Sequence, residues 1–268
     1  MNLLIRIASA LVLLPIALYC IHRGGFAIVG LIAVAIALAL AEAFRMVIDD
    51  ALERRVLSIL GMVMLAGLGA GILDHRQLPL SLGLVAGVIS LQAVMLILRP
   101  RELETIPSRW AAATFLPLYV GLPLLLAVSL RLHSGPDLIY LCLASTFAND
   151  TLAYFTGKSL GKHPLHPRVS PKKTWEGLIG GIVGSVIASF LIWHFLQIDV
   201  SWAGILAYGL VMGCLTPMGD LAESLLKRAA GVKDSGRLIP GHGGVLDRID
   251  ALLFGFPVTY LFALLVLG

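Results

Sequence analysis

Charge is what this sequence has least of. Charged residues make up 13% of its 268 positions, while hydrophobic residues make up 58%. A soluble domain carries about 25% charged residues, so a water-soluble globule is excluded and an integral membrane protein is implied. Cysteine is also sparse: Cys20, Cys142 and Cys214 all sit in apolar runs, without a CxxC spacing. Their odd number and isolation exclude a disulfide framework and a thiolate zinc site. No long polar insertion exists either. The longest polar connections, 158–173 and 228–249, are too short to bury a core of their own, so any chemistry must use helix ends and loops at a membrane face. A Walker-type phosphate loop is missing as well. Gly157-Lys158-Ser159 imitates its last residues, but Leu152 stands where a glycine is required and no strand precedes it.

What is present is a series of nine apolar segments, near 3–21, 26–48, 56–73, 79–98, 110–130, 137–157, 174–196, 203–227 and 250–267. Each has the length of about 18–25 residues needed to cross a hydrocarbon core of ~30 Å. Runs this long without alternation predict helices, since a strand in lipid must close into a barrel. The expected fold is therefore all-α, a polytopic helix bundle with about nine transmembrane helices. The first segment resembles a signal peptide in hydropathy, but Arg6 is a thin basic region and Leu18-Tyr19-Cys20 a poor cleavage site. It is read as a retained helix.

Of the 20 lysines and arginines, only Arg23, Arg76 and Arg131 fall in the odd-numbered connections. The rest lie at the N-terminus or in the even-numbered ones: Arg6; Arg45, Arg54 and Arg55; Arg99, Arg101 and Arg109; Lys158 to Lys173; Lys227 to Arg248. The positive-inside rule places the N-terminus and both long basic loops in the cytoplasm and the C-terminus outside.

Polar residues concentrate in the C-terminal half. The eighth segment ends LTPMGDLAESLLKRA, in which Asp220, Glu223, Ser224 and Lys227 share one helix face. Carboxylates at this depth need a polar cavity, a cation or a partner. Pro217 and Gly219 predict a broken or kinked helix there. For Glu223 the plainer reading, an i,i+4 pair with Lys227, is preferred. Asp247, Arg248 and Asp250 open the ninth helix behind PGHGG at 240–244, a turn that lets the backbone approach a ligand closely. The plainer role for Asp247 is a helix cap. Three carboxylates from two helix ends, Asp220, Asp247 and Asp250, with cations between them, suit Mg²⁺ bound jointly by protein and phosphates.

In the loop GKSLGKHPLHPRVSPKKTWEG, Ser170-Pro171 predicts the start of helix seven. Lys172 and Lys173 then occupy its first turn, where cations are unfavourable unless an anion joins them, which points to phosphate. The alternative is an anchor for anionic headgroups. Asn149-Asp150 interrupts the sixth segment, either for function or for interhelical hydrogen bonding. Glu42 with Arg45, and 49–55, read as ordinary pairs at the cytoplasmic face. The GLGAG run at 67–71 permits close helix packing and a homodimer.

Residues 224–250 resemble the signature of the phosphatidate cytidylyltransferases, or CDP-diacylglycerol synthases. The matching positions are Ser224, Lys227, Arg228, Lys233, Asp234, Pro240, His242, Gly243, Gly244, Asp247, Arg248 and Asp250. The SPKKTWEG block at 170–177 and Asn149-Asp150 are also similar to that family. The resemblance implies transfer of CMP from CTP to phosphatidic acid, dependent on Mg²⁺, giving CDP-diacylglycerol and pyrophosphate in a bacterial-type inner membrane. It also implies helices one to five over 1–135, with no nucleic-acid partner. Over 136–268 it implies a catalytic region of helices six to nine with cytoplasmic loops 158–173 and 228–249. On it, Asp220, Asp247 and Asp250 hold the metal, while Lys172, Lys173, Lys227 and Arg228 clamp phosphates. Ser224, Lys233, His242, Gly243, Gly244 and Arg248 belong to the nucleotide site, the PGHGG turn ordering over it. Asn149 and Asp150 orient the lipid phosphate or add a metal contact. Two other classes share some of these features. An ion-coupled transporter would use the intramembrane acids, but the inverted repeats it calls for are absent. A lipid kinase of the dolichol or polyprenol type would release a nucleoside diphosphate instead of pyrophosphate.

Overall fold

The computed structural model describes residues 3–98 and 103–267; Arg99 and Arg101 lie outside them. Each apolar segment forms a helix: α1 (Leu3–Arg23), α2 (Gly25–Val47), α3 (Ala51–Leu73), α4 (Leu78–Leu98), α5 (Ile106–Ser134), α6 (Asp137–Leu160), α7 (Trp175–Leu196) and α8 (Trp202–Ala229). The ninth is divided into α9 (Leu246–Ile249) and α10 (Leu252–Phe262), followed by a wider helical turn, Ala263–Leu267. Among the described residues, 7 helical stretches are long and apolar enough to cross a membrane. The chain is an integral membrane protein with an all-α bundle. Of the nine expected, α6 is interrupted by polar residues, and α1 counts only as the shorter apolar stretch Leu11–Arg23.

Helix starts follow their caps. Asp50 accepts from the Glu53 N–H at 2.7 Å and Ser201 from the Gly204 N–H at 3.1 Å, satisfying donors that a first turn leaves open. The start of α7 differs from the sequence expectation. Ser170 is not its cap: Ser170–Thr174 is strand β2, paired antiparallel with β1 (Pro164–His166), and Thr174 caps the helix by accepting from Gly177 N–H at 3.1 Å. Pro171 fits a two-stranded hairpin because its missing N–H faces an edge. Lys172 and Lys173 therefore lie on a strand, and the helix-dipole argument does not apply to them.

Small residues let the C-terminal helices approach closely. A Cβ on Gly213 of α8 would sit 2.6 Å from the Ile182 Cα of α7, and one on Gly184 of α7 would sit 2.6 Å from the Ala148 carbonyl of α6. Hydroxyl pairs fasten the seams: Ser145 with Ser189 at 2.8 Å and Tyr208 with Thr259 at 2.9 Å. The glycines at 67–71 pack within the chain, Gly67 and Gly71 on α4 and Gly69 on Leu125 of α5.

Pro217 does not end α8, which runs through it. Proline has no N–H for the carbonyl four residues earlier. That carbonyl, Gly213 O, instead accepts from Asn149 Nδ2 at 3.0 Å. Part of what Asn149 does is thus interhelical: it completes a neighbouring helix.

Gly213→Ala tests this packing. Alanine gains up to about 1 kcal/mol of helix propensity, but the backbone contact at Ile182 makes overpacking dominate, at about 1–3 kcal/mol. A lower melting temperature in detergent is expected; an unchanged or higher one contradicts the tight α7–α8 seam.

Candidate active site

The polar residues gather where the basic connections meet. A Cβ on Gly219 would lie 3.1 Å from the Ala251 Cα and closer still to the Asp250 carbonyl, so α8 abuts the α9–α10 junction with nothing between. This brings Asp220 and Asp250 from separate helices to one place. Asp250 lies within electrostatic reach of both Asp220 and Asp150. Asp150 in turn feels Asp220, Lys173 and Arg248. Asp220 Oδ2 pairs with Lys173 Nζ at 2.9 Å, and its Oδ1 accepts from Ser224 Oγ at 3.2 Å. Lys173 also donates to the Pro217 carbonyl at 3.2 Å, which ties the hairpin to α8.

A cavity of about 640 Å³ opens between α6, the β-hairpin, α7 and α8. Asp150, Lys172, Lys173 and Asp220 give it a charged side, and Ala153, Tyr154, Leu165 and Leu178 an apolar one. Asn149 lines it as well, its Oδ1 buried without a hydrogen-bond partner among the described residues.

Behind this cavity lies a closed network. Lys227 Nζ donates to Asp247 Oδ1 at 2.7 Å and pairs with fully buried Glu223 one turn earlier. Asp247 Oδ2 accepts from Gly244 N–H at 2.8 Å, Ser235 N–H at 3.0 Å and Ser235 Oγ at 2.9 Å. Gly243 has φ 83 and a Cβ there would sit 2.6 Å from Asp247 Oδ2, so this turn position requires glycine. Lys227 was expected on a phosphate; the structure places it between two carboxylates, buried and outside the cavity lining. Asp247 has both oxygens engaged, as Asp220 does with Lys173 and Ser224; the difference is that the partners of Asp247 lie in the buried network and Lys173 lines the cavity. Among the described residues no group of three or more His, Cys, Asp or Glu side chains is gathered closely enough to hold a metal ion.

The remaining candidates divide by exposure. Lys172, Lys233 and Arg248 are exposed and make no ion pair among the described residues. Arg228, also exposed, donates to the Val169 carbonyl at 3.4 Å and the Val232 carbonyl at 3.2 Å, bracing the hairpin against the loop. His242 does not hang free over the site: its Nδ1 meets Ser9 Oγ of α1 at 2.7 Å.

Two carboxylates read as ordinary surface pairs are neither exposed nor ordinary. Glu42 of α2 is buried and accepts from the N–H groups of Val245 at 3.1 Å and Leu246 at 2.9 Å and from Ser235 Oγ at 3.3 Å. Glu53 pairs with buried Arg109, whose Nε donates to it at 2.9 Å. For Glu42 the available signal was an acid within an apolar helix, which calls for a buried partner; Glu53, among Asp49, Asp50, Arg54 and Arg55, carried no such signal.

Hard carboxylate oxygens and lysines beside an apolar wall suit a membrane protein that handles a phosphate-bearing ligand. Comparison with known proteins narrows this. A sequence profile described as the cytidylyltransferase family matches residues 4–266. A phosphatidate cytidylyltransferase from Brucella abortus is 36% identical over 268 residues, covering 97% of this chain and 93% of that protein. One from Thermotoga maritima is 32% identical over 261 residues, covering 96% and 94%. The chain belongs to the cytidylyltransferase family.

Replacing one member of a buried ion network strands the others, at about 3–5 kcal/mol. Lys227→Met is therefore expected to lower the melting temperature strongly in detergent. Exposed Lys172→Met should stay within about 0.5 kcal/mol of the parent. Equal melting temperatures for the two would contradict the closed network.

Proposed function

We propose that this chain is a CTP:phosphatidate cytidylyltransferase whose site faces the cytoplasm from a bacterial inner membrane. Family membership and relatives of that activity along nearly the whole chain support the transferase reading. The observation that carries the assignment to a site is the cavity itself, with lysines and carboxylates on one side and an apolar wall on the other. A diacyl phosphate presents the same two faces. Its phosphate suits Lys172 and Lys173, and its chains suit the side of Tyr154 and Leu178. The basic connections support a cytoplasmic position by the positive-inside rule.

The reaction needs no enzyme nucleophile. A phosphate oxygen of phosphatidate attacks the α-phosphorus of CTP, the bond to the β-phosphate breaks, and pyrophosphate leaves. The protein then contributes positioning and charge compensation. Lys173, released from Asp220 when an anion arrives, neutralises negative charge at the lipid phosphate. Lys172 adds a second ammonium from the same strand. Lys233, Arg228 and Arg248 are exposed around the loop and suit the triphosphate.

The donor set also fits a divalent ion. Mg²⁺ takes oxygen ligands and is commonly held by one or two carboxylates plus substrate phosphates. Asp220 and Asp250, brought together at Gly219, supply such oxygens, with Asp150 in electrostatic reach. When bound, Mg²⁺ supplies charge neutralisation on the triphosphate. Asp247 serves by holding Lys227 and the Gly-rich turn.

Two labels separate the reading from a lipid kinase. With phosphatidic acid, a polyprenol, CTP and Mg²⁺ together, a cytidine label should enter the lipid fraction and a γ-phosphate label should not. The reverse pattern identifies a kinase, and neither label in lipid removes both readings. In the same assay Asp220→Asn should lose about 10²–10³-fold in kcat with its melting temperature kept; near-parental turnover takes Asp220 out of the site.

A further inference from the structure

Resting on the cytidylyltransfer reading, we propose that Glu42 of α2, outside the signature segment, is a positioning residue that fixes the chain entering Asp247 and Asp250. Glu42 is 6% exposed at the end of a helix otherwise buried through Ile28, Ile32, Ile36, Ala39, Leu40, Ala43 and Phe44. A lone carboxylate there must be compensated or it destabilises the bundle. No cation does this among the described residues. Backbone donors do: the N–H groups of Val245 and Leu246, at the start of α9, which have no acceptor within their own helix. Hydrogen bonds to an ionised acceptor are roughly twice as strong as neutral ones, so this is a firm clamp.

The loop is shaped around that carboxylate. A Cβ on Gly236 would lie 2.8 Å from Glu42 Cδ, and one on Gly244 2.6 Å from it. Both glycines are needed for the backbone to close on the acid from two sides. Ser235 then links Glu42 to the site. Its hydroxyl lies 3.3 Å from Glu42 Oε2 and 2.9 Å from Asp247 Oδ2, and its N–H donates to Asp247 at 3.0 Å. Glu42, Ser235 and Asp247 are thereby one unit, continued through Lys227 to α8. Glu42 is not in the cavity lining and touches no substrate. It acts through the placement of others.

A glutamine cannot substitute cleanly. Val245 N–H meets one oxygen of Glu42 and Leu246 N–H the other, whereas an amide offers one acceptor oxygen and an NH₂ that faces the second donor. A displacement of about 1 Å at a reacting centre costs up to ~10²-fold in rate. The test uses the purified full-length protein in phosphatidate-containing mixed micelles. Glu42→Gln should lose about tenfold or more in kcat. KM for phosphatidate should stay within about twofold, the protein should remain folded and monodisperse with a lowered melting temperature, as for the other members of this buried network, and hydrogen exchange should quicken in peptides covering 235–250. Parental kcat overturns the proposal, as does a loss of activity that merely tracks a loss of monodisperse protein. Should the glutamine variant not fold, Glu42→Asp and Ser235→Ala give the second test. Each should lower kcat, and the double variant should lose less than the product of the two single losses, since both act through one unit. Independent, multiplicative losses overturn it. An inert parent protein is a different outcome, which rejects the cytidylyltransfer reading itself.

Discussion

A charge below a membrane surface persists only where the protein supplies its counterpart, and this requirement organises the working end of the bundle. Lys227 sits between Glu223 and Asp247, two carboxylates and one ammonium withdrawn from water. Glu42 is compensated by backbone donors, and Glu53 by Arg109. Apart from Lys227–Glu223, one turn apart on α8, these contacts join segments distant in sequence, so charge compensation also assembles the fold. Apolar packing alone gives weaker direction, because lipid tails solvate leucine as well as another helix does.

Against that closed set stands an open one. Asp150, Asp220, Lys172 and Lys173 face a cavity, and the Lys173–Asp220 pair at 2.9 Å is a partnership that a phosphate can replace. The division explains why so many ionisable residues crowd one end of a chain otherwise short of them. Some hold the Gly-rich turn in place, and others line the cavity. Pro217 belongs to both sets: it orphans a carbonyl that Asn149 satisfies, and its own carbonyl receives Lys173.

Much of this was legible in the sequence because lipid permits few solutions. Length and hydropathy gave the helices, and the density of charge at 224–250 pointed to the working loop. What stayed hidden depends on geometry that no spacing encodes. Ser170-Pro171 looks like a helix start, yet the chain pairs as a hairpin and Thr174, with an equally suitable oxygen, takes the cap. For Lys227 the i,i+4 pair with Glu223 was legible in the spacing and is present, but its contact with Asp247, 20 residues on, was not. Glu42 was passed over because its partners are main-chain groups some 200 residues away, which have no sequence signature.

The central proposal is that Asp220 and Asp250 exchange their present partners for a divalent ion and nucleotide, while Asp247 stays held by Lys227, Ser235 and Gly244. Binding of Mn²⁺ with CTP, followed by electron paramagnetic resonance on purified Asp220→Asn, Asp250→Asn and Asp247→Asn proteins, tests it directly. The account predicts weakened ion binding with retained melting temperature for the first two, and a lowered melting temperature for the third. Normal ion binding in both Asp220→Asn and Asp250→Asn, with binding lost only in a fully stable Asp247→Asn, would contradict it.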